Sequence, residues 1–572
     1  MWIFYALTIA VLFLCLRTKT RERLLAMPRI AAAESSLSRL TAWLAAHEKL
    51  CFLFIFAAGI AVRTWKFGIL PLGQNQDGTM GGVEAWCLLK NGVDHWGHSW
   101  PTYFEAWGVA QMSILYSLIM IPFVMVLGLT KLALRLPMLI ISLVSLLLIW
   151  DLARRAIGRG YALLALLLAA VNPWQILQSR WAIDCNLMPH VLLLAFWLLW
   201  LGKDRRWALY LSMVAFGLTT YSYGTAVLIV PEILLLAAVL YAIRGWVKPL
   251  DVVVCVLLFV MVSGPYLLTL AIQTFDWDTL VIGPFTLPRF TTTQRATDIA
   301  LFADNPYERI ITNITSFLEQ FMLNRHGEEY NAISWANTLY PFMTPVWLCG
   351  LYLWWRSARR ACRNGKQETN GEEILFRLLL FWLIGSTVNG MMISGMVNRQ
   401  NTVFYPLIFV SAYGILEAGK RMRTAGAALT VMLCIAFGGL VNTYFFDERY
   451  QNSVGQTFHD GYQEALSATK DWDYDHYYIL DGSAAALTQL MFAHGLDYAE
   501  ISEERDLPDR EGNPSGWYFT DRYIFVSGKP DLNPTDCAVY IFPKEKAKYF
   551  NTDEYQITEY GLYCAAYPRY WL

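Results

Sequence analysis

Thirteen apolar runs, each close to the length of a membrane span, dominate the chain: 2–16, 49–65, 109–128, 133–153, 161–177, 188–202, 207–222, 227–243, 250–272, 338–356, 374–395, 402–418 and 424–443. A helix needs roughly 20 apolar residues to cross a hydrocarbon core, and no soluble domain has an interior that would bury so many of them. The charged fraction points the same way, at 16% against about 25% for an ordinary soluble chain. Disorder is excluded, because it needs low hydrophobicity and high net charge, whereas 56% of this chain is hydrophobic and its formal charge is -1. The expected fold class is a polytopic α-helical membrane protein.

Charge placement orders these runs. The first is no cleavable signal, since no basic residue precedes it, no small-residue cleavage site ends it, and Arg17, Lys19, Arg21 and Arg23 follow it directly. It reads as a span with its N-terminus outside. Lys and Arg gather in short cytoplasmic loops, and here they cluster at Arg17 to Arg39, Arg154 to Arg159, Lys203 to Arg206, Arg244 to Lys248, Arg356 to Lys366 and Lys420 to Arg423. All six clusters share one side only if one run between Trp65 and Arg154 does not cross. The run 109–128, interrupted by Pro122, is the exception and reads as a re-entrant or interfacial helix. About twelve spans then occupy 1–444, with loops 66–132, 178–187, 273–337, the turn 396–401 and the tail on the extracytoplasmic side of a multi-pass plasma membrane protein.

The tail, 445–572, holds 22 Asp and Glu against 10 Lys and Arg, so the membrane part before it is strongly basic. Helical patterns at 456–470 and 484–494 alternate with strand-like runs Tyr477 to Leu480, Tyr523 to Val526, Ala538 to Phe542 and Tyr555 to Tyr563, which reads as a small α/β domain. The ten cysteines show no CxxC or metal-ligand spacing, and Cys537 and Cys564 are the one plausible pair. Nothing points to nucleic acid, and there is no phosphate-binding P-loop, Rossmann glycine turn or hydrolase triad.

The extracytoplasmic loops carry the chemistry-bearing residues. Asp77 and Glu84 follow a span closely, and a helical pattern from Met80 to Lys90 sets Glu84 two turns onward. Two such carboxylates suit a general base with an orienting partner, or a divalent metal ion held between them; loop acids facing water are the plain alternative. Arg180 and Arg399 stand in the shortest of these loops, against the charge rule, so each calls for an anionic partner. A phosphate or lipid headgroup fits a guanidinium in two-point geometry, while pairing with Asp184 is the simpler reading. His95 and His98 have metal-like spacing, but Gly97 and the lack of a third ligand favour an aromatic-rich interfacial loop. Asn75, Gln76, Asn398 and Asn401 flank these charges as candidate cavity residues.

The ordered set of motifs resembles the GT-C superfamily of integral-membrane glycosyltransferases, near the bacterial relatives of protein O-mannosyltransferases and the lipid A aminoarabinose transferase. The stretches are Asn75-Gln76-Asp77 through Glu84 to Gly92, Trp100-Pro101 to Gly108, Leu134-Arg135-Leu136-Pro137, Asn172-Pro173-Trp174 with Ser179-Arg180-Trp181-Ala182-Ile183-Asp184, and Asn398-Arg399-Gln400-Asn401 with Phe404 to Ile408. The resemblance implies transfer of a sugar from a polyprenyl-phosphate donor to a glycan, lipid or protein acceptor, with inversion, in a bacterial cell envelope. It maps the catalytic acid to Asp77, the second-loop acid to Asp184 and the phosphate-binding arginine to Arg399, with Arg180 as a helper. Many relatives have an Asp-Glu pair where this chain has Asp77-Gly78, so the second acid's role passes to Glu84 or is lost. Two rival readings remain. A flippase for lipid-linked oligosaccharide predicts internal repeats and polar residues within spans, and a membrane-anchored scaffold predicts that the tail acts alone.

Overall fold

The computed structural model describes residues 2–571 except 107–109, 291–298, 323–327, 364–370, 482–484, 504–521 and 531. Each expected apolar run is mostly helical, but fewer helices than expected are built to cross a membrane. Among the described residues seven are long and apolar enough, and two bent pairs would make nine: Trp2–Leu16 with Thr18–Leu25, at 91°, and Pro28–Ala46 with Glu48–Thr64, at 86°.

The shortfall from twelve lies in short or broken elements. Arg159–Ala170 and Arg206–Thr219 have 12 and 14 residues, or roughly 18–21 Å of helix, and Thr344–Arg363, at the run 338–356, carries Arg356, Arg359, Arg360 and Arg363. The run 161–177 breaks at Asn172-Pro173, where proline disfavours helical geometry in the residue before it. Asn172 then caps a new helix, Pro173–Gln178, by accepting from the Gln175 N–H at 2.9 Å. The run 109–128 opens not as helix but as strand Ala110–Met112, paired antiparallel with Phe104–Ala106, before Leu115–Leu127 begins.

The tail contains a five-stranded sheet in the order Tyr523–Phe525, His476–Ile479, Ala538–Pro543, Tyr563–Pro568, Tyr555–Tyr560. The first three strands run parallel and the last pairings are antiparallel. The strand-like run 555–563 is therefore two strands of a hairpin. The helical pattern 456–470 is likewise divided, into Glu448–Thr457 and Tyr462–Thr469. Cys537 and Cys564 are both free. Cys564 sits opposite Phe542, five residues along the strand from Cys537, so roughly 16 Å of strand separates the positions.

One packed cluster joins the tail to the helix that follows the first long loop segment. Val83 and Cys87, from helix Gln76–Asn91, are buried with Leu134 and Met138 of helix Lys131–Ala156 and with Leu487 and Met491 of the tail helix Ala486–His494.

Candidate active site

Asp77 stands in the first turn of helix Gln76–Asn91, which starts earlier than the Met80 expected from periodicity because Asn75 caps it. The Asn75 Oδ1 accepts from the N–H groups of Asp77 at 2.9 Å and Gly78 at 3.3 Å. The partial positive charge of a helix N-terminus favours a carboxylate there.

Asp184 opens another helix, Asp184–Gly202. Its Oδ1 accepts from the Cys185 N–H at 2.7 Å and its Oδ2 from the Ser113 N–H at 3.0 Å. The short helix Val397–Gln400 carries Asn398 and Arg399. The buried Asn389 amide holds the Arg399 carbonyl at 2.8 Å, and Arg399 Nη1 donates to Ser394 Oγ at 3.0 Å. Asp77, Asp184, Asn398 and Arg399 all line one cleft of about 180 Å³, together with Gln111 and Tyr330. The Asn398 Oδ1 and Gln111 Nε2 are buried there without a hydrogen-bond partner among the described residues. Burial raises the Tyr330 phenol above its ordinary pKa, reinforced by the Glu328 charge and, further off, by those of Cys185 and Asp77. It therefore remains an O–H donor at neutral pH.

A second cavity of about 200 Å³ shares Gln111, Tyr223 and Arg399 and is otherwise walled largely by apolar and aromatic side chains, among them Val227, Leu228, Leu270 and Phe290. Arg399 thus stands where a polar, twice-acidic cleft meets an apolar chamber. Such a junction suits an amphiphile with a phosphate at its head: a guanidinium for the phosphate and an apolar wall for the chain.

The other candidates are placed elsewhere. Glu84 is fully buried, with Oε1 2.5 Å from His95 Nδ1 and Oε2 accepting the His95 N–H at 2.9 Å. Burial raises the Glu84 pKa while the His95 charge opposes it. Seven residues of helix put it roughly 10 Å along the axis from Asp77, so the two acids do not converge on one metal ion. Among the described residues no three His, Cys, Asp or Glu side chains gather as a metal site. His98 bonds Asp94, which also accepts the N–H groups of Trp96 and His98; both histidines therefore shape the loop rather than the cleft.

Arg180 is a clear correction. Its Nε donates to the Tyr444 hydroxyl at 3.0 Å, Nη1 to the carbonyls of Val62 and Arg63, and Nη2 to those of Trp65 and Leu70. A guanidinium has five N–H donors, and all five are taken, by the end of helix Glu48–Thr64, the Leu70 carbonyl beyond it and the Tyr444 hydroxyl, which leaves none for a phosphate. Asn401 is buried and donates to the Cys185 carbonyl at 2.8 Å, tying two elements together. Gln76 opens its helix half-buried and does not line the cleft.

Sequence reasoning missed Gln111, Tyr223 and Tyr330. A polar residue at the head of an apolar run was a usable signal for Gln111. Tyr330 had none, since its place depends on chain folding back from the long loop.

A family model described as dolichyl-phosphate-mannose-protein mannosyltransferase matches residues 111–268, which include Gln111, Asp184 and Tyr223. No curated protein matches the chain by sequence. Among solved structures, ArnT from Cupriavidus metallidurans bound to undecaprenyl phosphate superposes with a TM-score of 0.51 at 10% identity, over 90% of this chain and 97% of that one. At that identity the likeness is one of fold: this chain has the fold of that ArnT along nearly its whole length. The apo form of the same ArnT gives a TM-score of 0.49 at 11% identity, over 92% and 98% of the two chains. The Archaeoglobus fulgidus oligosaccharyltransferase, in complex with Zn and sulfate, gives 0.47 at 12%, over 78% and 62%. Four separated segments of this chain supply the charged and amide side chains of the cleft, one or two each, and Tyr223 and Tyr330 come from two more.

Proposed function

We propose that this chain is a GT-C-type glycosyltransferase, which transfers a sugar from a polyprenyl-phosphate donor to a hydroxyl-bearing glycan, lipid or protein acceptor at the extracytoplasmic face of a bacterial plasma membrane, with inversion. The observation that carries the reading is the junction at Arg399, which lines both the cleft of Asp77 and Asp184 and the largely apolar chamber beside it. The undecaprenyl phosphate bound to the similarly folded ArnT is the kind of molecule that such a junction accepts.

In this reading Asp77 takes the proton of the acceptor hydroxyl as its oxygen forms a bond to the anomeric carbon. The bond from that carbon to the phosphate oxygen breaks on the opposite face, and the polyprenyl phosphate departs with the electron pair. Arg399 meets the negative charge that grows on this oxygen; removing one such donor typically costs about 3–4 kcal/mol of barrier. Tyr330 and Asn398 supply further polar contacts, and Asp184, already tied to two backbone N–H groups, orients the acceptor or the sugar.

Native mass spectrometry of protein gently extracted from its own membrane tests this without a guess about the sugar. Wild type is expected to retain a polyprenyl phosphate or its glycosylated form, and Arg399→Ala to lose it. Bulk phospholipid alone in both would remove the phosphate-site assignment.

A further inference from the structure

The backbone leading into Asp77 is held by the tail. Between helices Glu48–Thr64 and Gln76–Asn91 the segment 65–75 has no regular structure, yet it is gripped from both sides. From the membrane part, Arg135 Nη1 donates to the Pro71 carbonyl at 3.1 Å and Nη2 to the Gly73 carbonyl at 2.6 Å. From the tail, the Phe458 carbonyl accepts the Gln74 N–H at 2.6 Å.

The approach leaves no room. Gly73 has φ +70°, and a Cβ there would stand 2.2 Å from the Phe458 carbonyl oxygen, so glycine is required both for its conformation and for the contact. On the tail side, the contact is made by the break that divides the expected helix 456–470. That break is itself fixed, because Gly461, at φ +90°, lies against the Tyr560 carbonyl of the sheet hairpin, 1.9 Å from where its Cβ would be. The Phe458 ring packs between Trp181, with centroids 5.2 Å apart, and the cleft residue Tyr330, at 5.5 Å. A second grip falls farther along the helix of Asp77: Leu487 and Met491 bury Val83 and Cys87, and Trp86 Nε1 donates to the Gly495 carbonyl at 3.1 Å.

A tail that only screened acceptors would need neither a backbone bond to Gln74 nor close packing on Gly73. We infer that the turn Phe458–Gly461, with Arg135 opposite it, is a positioning element that sets where the Asp77 carboxylate stands in the cleft. This rests on Asp77 being the base. Proton transfer requires hydrogen-bond reach of roughly 2.6–3.2 Å, and a misplacement of about 1 Å can cost on the order of 100-fold in rate. Asp77 lies three residues beyond Gln74, with no flexible linker between them.

The test uses the full-length protein in its membrane with Gly73→Ala, and Arg135→Lys as a second variant should the first fail to fold. Donor consumption is read by mass spectrometry as conversion of the co-purifying glycosylated carrier to free polyprenyl phosphate. Each variant is expected to lower kcat about 100-fold while donor KM stays within twofold, and to cost nothing further when added to Asp77→Asn. Unchanged kcat, or a loss that adds to that of Asp77→Asn, would overturn the inference. Hydrogen exchange over residues 75–80 provides a readout free of turnover, and faster exchange there with the tail sheet unchanged is expected. If wild type consumes no donor, the transferase reading fails by itself, and unchanged exchange at 75–80 then sinks the positioning inference separately.

Discussion

Arg180 and Arg399 look alike in the sequence, each a cation in a short loop where few cations belong, and the fold sends them to opposite tasks. Arg180 is buried with its five donors on four carbonyls and a hydroxyl, and aromatic rings of Phe67, Tyr444 and Phe445 lie within 6.0 Å of it. Arg399 lies on a four-residue helix and lines both a polar cleft and an apolar chamber. The acids divide in the same way. Glu84 is consumed by His95, whereas Asp77 opens onto the cleft from a helix N-terminus. A buried charge is already spent where the fold has satisfied it, and removing its partners costs stability rather than chemistry.

The sharpest way to break this comparison is at Asp77. Asp77→Asn keeps the shape of the side chain and removes the base, so turnover is expected to fall by roughly 10²–10⁴-fold with an unchanged melting profile and unchanged lipid retention. A mutant that keeps normal turnover would move the base elsewhere.

Arg180→Gln should do the reverse. Backbone carbonyls left unpaired in the interior cost about 1–3 kcal/mol each, so the yield of folded protein and its apparent Tm fall, while each folded molecule retains polyprenyl phosphate as wild type does. Loss of the lipid at full stability would return Arg180 to the phosphate site.

The smallest effect is expected at His98. Burial pulls its imidazole down, but the hydrogen bond and charge of Asp94 outweigh that, and the pKa ends above its ordinary value near 6.5. A raised histidine stabilises the fold fully below its unfolded pKa, and the contribution is lost as pH rises through the folded value. Apparent Tm should thus decline slightly between pH 6 and pH 8, and His98→Asn should flatten that slope. The side chain is 31% exposed, which keeps the effect within the roughly 1 kcal/mol of a solvent-screened pair.

What was legible in the sequence was what periodicity and charge record locally. The apolar runs located the helices, and the alternation of the tail located most of its strands. Asp184, Asn398 and Arg399 could be singled out because each is polar at the edge of a long apolar run, and Asp77 as an acid of the first long loop that the resemblance also marks. Saturation was not legible: no local pattern tells that the carbonyls of residues 62–70 fold back onto Arg180, or that His95 returns to Glu84. Chain breaks made at a distance were hidden too. The division of 456–470 depends on Gly461 meeting Tyr560 a hundred residues later, and the split of 555–563 depends on a hairpin that a continuous run of alternating residues conceals. Helix counting failed where a short element looked longer in hydropathy than its capping residues allow, as at Asn172.

The modest size of the chamber beside Arg399, about 200 Å³, has a consequence for a long-chain donor. Under the proposed function, the far end of a polyprenyl chain is expected outside that chamber, along lipid-facing helices such as Pro249–Phe275, most of which is exposed. Recognition then ends a short way from the phosphate. Carriers that differ only in their distant isoprene units are then expected to be interchangeable, with selectivity for the proposed donor residing in its head and first few carbons.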